Sequence, residues 1–284
     1  MTDDPAIPDF PPPVRRLPRE AWKDGAAGRG ERAVPEETPV ALTYNGTTHA
    51  VMMATPLDIA DFALGFSLTE GIIADAADIL SLDVIAVEDG IEARMWIAEE
   101  KMKVLSARRR YLAGPTGCGL CGVESLAEAV KPAALVTSRA RLSPEDLLAA
   151  MALLGPAQVL NHETRAVHAA GYFEPGRGLL AVCEDVGRHN ALDKLVGKVA
   201  TLDADPARGV LLLTSRVSIE MVQKAAVLGV GLIAAVSAPT SLAVRTADAA
   251  GITLAAIVRP DGFELFTHPG RVAPGEPSRQ SHVA

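Results

Sequence analysis

Cysteine is scarce here, with three residues in a chain of 284. That is too few for a disulfide scaffold and points to a reducing compartment. Aromatic residues are also few, at 4%, so the core must come mainly from the Ala, Val, Leu and Ile within the 49% that is hydrophobic. An excess of positive charge is absent: 27 Lys and Arg stand against 35 Asp and Glu, a net −8. That balance excludes a general nucleic-acid binder, though not a local nucleotide pocket. The opening MTDDPAIPDFPPP has no basic start followed by an apolar run, so no secretory signal is visible. One uncharged run, Ala225 to Val244, has the length of a membrane span. Gly229, Gly231 and the Ser-Ala-Pro-Thr-Ser stretch at 237–241 break it into helix, strand and turn. The expectation is a cytoplasmic protein with no membrane segment.

What the chain does have is concentrated between Gly114 and Ser125, GPTGCGLCGVES. Cys118 and Cys121 form a CxxC pair with glycines at 117, 119 and 122. Glycine lets another molecule approach the backbone closely. Val123–Val130 reads as a short helix, whose N-terminal end would favour thiolate over thiol, with Arg108, Arg109 and Arg110 upstream adding to the effect. The pair admits reactive, sulfur-handling thiols or half of a zinc site. A four-cysteine site is impossible with three cysteines in the chain, the third being Cys183 in an apolar run. His162 and His168 are the histidines a mixed site would need, but they stand far from Cys121.

Residues 1–37 are rich in Pro, Gly and charge and read as a disordered tail. Residues 38–112 read as a hairpin and helix region, with turns at Asn45-Gly46 and Asp89-Gly90 and a helix over Leu57–Thr69 closed by Gly71. Residues 113–122 are the mobile CxxC loop. From 123 to 269 strands alternate with helices, which argues an α/β cofactor-binding domain with a central sheet. Residues 270–284 are a loose tail.

Three strand-to-helix turns carry unusual polar content. They are Glu184–Asn190 (EDVGRHN), Thr214–Ser218 (TSRVS) and Ser237–Ser241 (SAPTS). Parallel strands would set all three at one carboxyl edge, where open α/β sheets bind ligands. Gly187, Arg188, His189, Asn190, Ser215, Arg216, Ser237, Thr240 and Ser241 are then candidates for holding a phosphate-bearing ligand. The plainer reading of each turn taken singly is helix capping. Asp193 and Lys194 read as a helix face, and His168 as either a core histidine or a proton-transfer group.

Several stretches together resemble the formate dehydrogenase accessory sulfurtransferases (FdhD). They are ALGFSLTEGII at 63–73, GCGLCG at 117–122, EDVGRHNALDK at 184–194, SRVSIEMVQKA at 215–225, SAPTSLAV at 237–244 and FELFTHP at 263–269. The resemblance spans about 38 to 269. It implies a cytidine-deaminase-like α/β fold and a homodimer. It also implies a persulfide carrier that takes sulfur from a cysteine desulfurase. The acceptor would be the bis-molybdopterin guanine dinucleotide form of the molybdenum cofactor, bound for formate dehydrogenase. The persulfide cysteine would be Cys118, with Cys121 as partner. The cofactor-contacting segment would be Phe263, Glu264, Leu265, Phe266, Thr267 and His268, and GDP-like nucleotides would share the site. The family commonly has two glycines where this chain has Arg165 and Ala166, which leaves that turn's role open. A cofactor-binding chaperone without transfer chemistry is the rival of another class. A zinc deaminase is a weaker one, since none of the histidines or cysteines heads an H-x-E or C-x-E motif. No resident metal is expected.

Overall fold

The computed structural model describes residues 10–112 and 132–273. Cys118, Cys121, their glycines and the expected helix at 123–130 lie outside the described residues.

The chain opens with β1 (Val14–Lys23) and β2 (Ala26–Pro35), a two-stranded antiparallel ribbon. This corrects the expectation of a disordered tail through residue 37. The proline content hid an ordinary hairpin signal: Asp24 and Gly25 both have positive φ, 52° and 81°, as a tight primed turn requires.

Four strands follow as β3 (Thr38–Tyr44), β4 (Thr47–Ala54), β5 (Ile79–Val87) and β6 (Gly90–Ile97), in the order β4-β3-β6-β5. The Asn45-Gly46 and Asp89-Gly90 turns sit where expected. Helix α1 (Ile59–Thr69) covers one face of this sheet, and Gly71 leaves the helix at φ 66°. Helix α2 (Glu99–Leu112), not foreseen from the sequence, leads into the undescribed stretch.

The second half forms α3 (Pro144–Ala157), α4 (Val159–Thr164), β7 (His168–Glu174), β8 (Gly178–Asp185) and α5 (Arg188–Ala200). It continues with β9 (Val210–Leu213), α6 (Ile219–Leu228), β10 (Leu232–Ala235), α7 (Ser241–Ala249), β11 (Thr253–Arg259) and β12 (Gly262–Thr267). Its sheet runs β12-β11-β10-β9-β7-β8, with β9, β10 and β11 parallel. Strand β7 is antiparallel to both β8 and β9, so β8 points the same way as β9. One apolar cluster fills the space between the sheet and α5–α7, and another lies under α3.

The two halves meet where α1 crosses α5. A Cβ on Gly65 would fall 1.7 Å from the carbonyl oxygen of Asp193, and one on Gly197 would fall 1.9 Å from that of Asp61. Only glycine allows the two backbones to approach this closely. No described helix is long and apolar enough to cross a membrane.

Candidate functional site

Because β8, β9 and β10 share one direction, their three following turns do gather at one edge of the sheet. The second and third turns touch directly. Val217 donates its N–H to the Ala238 carbonyl at 3.4 Å and accepts from the Thr240 N–H at 2.9 Å. His168, opposite Asp185 at the start of β7, joins the same edge.

The first turn spends most of its polar groups on holding the molecule together. Lys194 and Asp185 form an ion pair at 2.7 Å with both side chains fully buried. Lys194 also donates to the carbonyl of Thr55 at 2.9 Å, and the N–H of Thr55 donates to Asp185 at 2.9 Å. Asp185 further accepts from the Gly187 N–H at 2.7 Å and from Asn190 at 3.0 Å. Asn190 spans back to the carbonyl of Met53 at 2.8 Å. A Cβ on Gly187 would come within 2.9 Å of Asn190. Gly187 and Asn190, singled out for ligand contact, therefore form a clasp between the two halves. A buried ion pair needs this many supporting hydrogen bonds to offset its lost hydration.

Arg188 and His189 are left over from that clasp. The Nε of Arg188 and the Nε2 of His189 are buried without a hydrogen-bond partner among the described residues. Burial, then the nearby Arg188 guanidinium, lowers the pKa of His168. Burial and Arg188 lower that of His189 as well, with Lys224 adding to the effect and Glu220 opposing it. Both rings are thereby biased toward the neutral form, and a lone buried acceptor or donor is an invitation to a ligand.

His189 also lines a cavity of about 550 Å³ between α1, α5 and α6. Asp193, Glu220 and Lys224 share its wall, with Met52 and Phe66 supplying apolar surface. Lys224 is bound to both oxygens of Asp193 at 2.8 and 3.0 Å and to Thr69 at 2.9 Å. Burial pushes the Asp193 carboxyl up, while Lys224 and the Thr69 hydroxyl pull it back down. Pro132, Ala133 and Ala134 complete the wall, and Pro132 is the first described residue after the stretch containing the CxxC pair.

The other candidates divide. Thr240 caps α7 through the Ala243 N–H at 3.2 Å, and Ser215 hydrogen-bonds the Arg216 carbonyl at 3.0 Å, so both hydroxyls have local work. Arg216 and Ser241 are exposed, and the Ser237 carbonyl accepts from the N–H of Ile257 at 3.4 Å. The segment Phe263–His268 is not a single patch. Strand β12 runs antiparallel to β11, so Phe263 starts near the carboxyl edge while Thr267 ends at the opposite one. Glu264 and Phe266 are exposed, whereas Phe263 and Leu265 pack on the core under α3. Thr267 is buried and bonded to the backbone of Ile252 and Leu254. His268 contacts the Asp248 carbonyl at 2.8 Å and sits at φ 42°. Five strand steps put it about 17 Å from Phe263. Within one chain this segment and the three turns do not form one pocket.

Sequence reasoning missed the buried roles of Asp185, Asp193 and Lys194 and the cavity face of Glu220 and Lys224. The sequence of α5 carried no signal for this: Ala191, Leu192, Leu195, Val196 and Val199 form one apolar stripe, as on an ordinary amphipathic helix, yet Asn190, Asp193 and Lys194 on its polar side are buried too. His162, weighed as a metal ligand, contacts the Gly155 carbonyl at 2.9 Å. Among the described residues no three His, Cys, Asp or Glu side chains group as a metal site.

Residues 35–273 match the sequence model of the FdhD/NarQ family. A protein from Agrobacterium fabrum named sulfur carrier protein FdhD is 52% identical over 259 residues, covering 91% of this chain and 96% of that protein. One of the same name from Brucella abortus is 54% identical over 242 residues, covering 85% and 90%. A solved structure from Desulfotalea psychrophila, described as a candidate formate dehydrogenase accessory protein, superposes with a TM-score of 0.71. It covers 92% of this chain and 100% of that one at 24% identity, a likeness of fold.

Proposed function

The chain belongs to the FdhD/NarQ family, and from that premise we propose that it is a sulfur carrier for the maturation of formate dehydrogenase. Its donor is a cysteine desulfurase carrying a persulfide. Its acceptor, and so its substrate, is the bis-molybdopterin guanine dinucleotide form of the molybdenum cofactor. The Cys118 thiolate attacks the outer sulfur of the donor persulfide. The donor's sulfur–sulfur bond breaks, its cysteine leaves as thiolate, and Cys118 holds the new persulfide. Attack by Cys121 on the inner sulfur then expels the outer one as a sulfide equivalent toward molybdenum, leaving a Cys118–Cys121 disulfide to be reduced by a thiol.

The observation that carries this reading is the pair of buried, unsatisfied atoms on the neighbouring Arg188 and His189, of which His189 lines a cavity walled also by Pro132–Ala134. Arg188 is a bidentate donor suited to the pyrophosphate of a guanine nucleotide. Cys121 precedes Pro132 by eleven positions, a tether of at most about 40 Å. That tether is long enough for the thiols to reach the cavity rim. The cavity's apolar wall and neutral His189 offer a persulfide shelter from water.

Two measurements test the proposal. Incubation with a desulfurase and cysteine, followed by peptide mass spectrometry, should find one added sulfur on Cys118; a Cys118→Ala chain that loads and delivers sulfur normally removes the carrier role. GDP should raise the melting temperature, as any ligand of the native state does, and Arg188→Ala should abolish the rise. An undiminished rise in that variant removes the nucleotide site from this edge.

A further inference from the structure

The edge of the six-stranded sheet opposite the three turns holds two adjacent arginines without a counter-charge. Thr253 is the first residue of β11, which runs parallel to β10, so it stands at the amino edge. There the chain ahead of α3 and the chain after β12 run side by side. Leu142 and Val272 form a parallel bridge. Leu142 donates its N–H to the Arg271 carbonyl at 3.1 Å and accepts from the Ala273 N–H at 3.1 Å. Both bridge residues are buried in the apolar cluster under α3. The bridge sets Arg141 beside Arg271, each one position ahead of its bridge residue.

Neither guanidinium is neutralised. Arg141 gives its Nη1 to the Ala140 carbonyl at 2.8 Å, and Arg271 gives its Nη1 to the Thr253 hydroxyl at 3.0 Å. Among the described residues these are their only hydrogen bonds, and neither arginine has an ion pair. Arg139, two positions earlier, does have an acid, Asp205 at 2.6 Å. The Nε of Arg271 is buried with no partner among the described residues. Thr253 is itself buried and donates to the His268 carbonyl at 2.8 Å, so its oxygen is a fixed anchor for Nη1. That leaves Nε and Nη2, the two donors along one side of the guanidinium, as a fork already oriented. Burial, and then the Arg141 charge, lowers the pKa of Arg271, which places the two cations within each other's field.

A buried donor without an acceptor and two like charges side by side are both costly. One anion between the guanidiniums would relieve both at once, because each fork donates bidentately to an oxyanion. A terminal phosphate offers three free oxygens, against two in a diester, and so can receive two forks.

We propose that Arg141 and Arg271 form a binding site for a terminal phosphate group, free or at the end of a small phosphomonoester, at the amino edge of the sheet. The site shares no residue with the Arg188 edge and goes beyond the sulfur-carrier reading without resting on it.

Calorimetric titration of the full chain with inorganic phosphate, in chloride buffer of fixed ionic strength, tests it. Because Arg188 also suits an oxyanion, the titration is repeated in Arg188→Ala, where binding should persist. Arg141→Ala should weaken it by about tenfold or more, as loss of a hydrogen bond to a charged group does. Arg141→Lys, which keeps the charge but not the fork, should recover only part of the loss. Arg271→Gln is a second, independent variant with the same expected loss, and circular dichroism checks that each folds. A structural arginine would lower the melting temperature when removed. Arg141→Ala without phosphate should instead leave it unchanged or raise it, since a repulsion is gone. Glycerol 3-phosphate distinguishes the two sources: tighter binding than phosphate identifies a phosphomonoester, and weaker binding identifies the free anion. Phosphate binding that is lost in Arg188→Ala, or that neither Arg141→Ala nor Arg271→Gln weakens, overturns the proposal, as does a chain that binds no phosphate. None of these results bears on sulfur loading at Cys118.

Discussion

Arg165 holds a backbone conformation that its side chain disfavours. It terminates α4 at φ 58°, in the left-handed region, after Thr164. The left-handed conformation costs an L-residue about 1 kcal/mol that glycine avoids. The glycines that the family commonly carries at this turn thereby acquire a physical reason, and the segment's departure is one of strain. Arg165→Gly should raise stability by about 0.5–1 kcal/mol, read as a higher denaturant midpoint at an unchanged slope. A lower midpoint would mean that the arginine side chain makes a contact outweighing its backbone strain. The motif was legible as a departure; its cause needed the dihedral angle.

The histidines at the sheet edge make a second residue-scale prediction. His168 and His189 both have native pKa values below the ordinary 6.5, through burial first and the Arg188 charge next. Above pH 6.5 folded and unfolded chains hold both rings neutral, and the full contribution is present. As pH falls below 6.5, the unfolded rings take up protons before the native ones, so stability falls. Melting temperatures between about pH 7.5 and pH 5 should show this loss. His189→Asn should flatten the curve, and an unchanged slope in that variant would place the titrating group elsewhere. That these histidines sit together at the three-turn edge was not readable from the chain, because β7 enters the sheet between β8 and β9, out of sequence order.

At the level of elements, the α1–α5 crossing depends on two glycines facing opposite backbones. The contact leaves no room for a methyl group. Overpacking a core costs about 1–3 kcal/mol where side chains can yield; here the obstructing atoms are backbone, so Gly65→Ala should fall at the upper end or beyond. Gly71→Ala serves as a contrast: it meets no neighbour within 4 Å and bears only the strain of φ 66°. Equal, small losses of melting temperature in both variants would show that the helices separate freely. Sequence patterning found both helices, since their apolar repeats are strong. It could not find the crossing, because a glycine within a helical pattern looks like a defect until its partner helix is known. Hairpins show the reverse case. Asn45-Gly46 and Asp89-Gly90 were readable from local chemistry alone, while the equivalent Asp24-Gly25 was masked by flanking Pro, Gly and charge.

Across the whole molecule, the clasp makes one folding unit of two hydrophobic clusters. The backbone of Thr55, in the link between β4 and α1, is held by the Asp185–Lys194 pair, and Asn190 holds Met53. The motif around residues 184–194 thus divides: Asp185, Asn190 and Lys194 lock the halves, while Arg188 and His189 keep buried polar atoms without a partner among the described residues, the atoms proposed above to meet a ligand. A sequence reading saw one polar cluster because the division depends on which way each side chain leaves α5. Asp185→Asn leaves Lys194 charged in a site without solvent, at a cost of about 3–5 kcal/mol. Both tryptophans, Trp22 and Trp96, lie in the N-terminal half. Fluorescence therefore follows that half, while far-UV circular dichroism also follows the helices α3–α7. In the native chain the two denaturation curves should coincide, as for a cooperative transition. In Asp185→Asn the fluorescence transition should move to lower denaturant and separate from the helical one. Curves that separate already in the native chain would show two independent domains. Curves that shift together in the variant would show that the glycine crossing alone keeps the halves coupled.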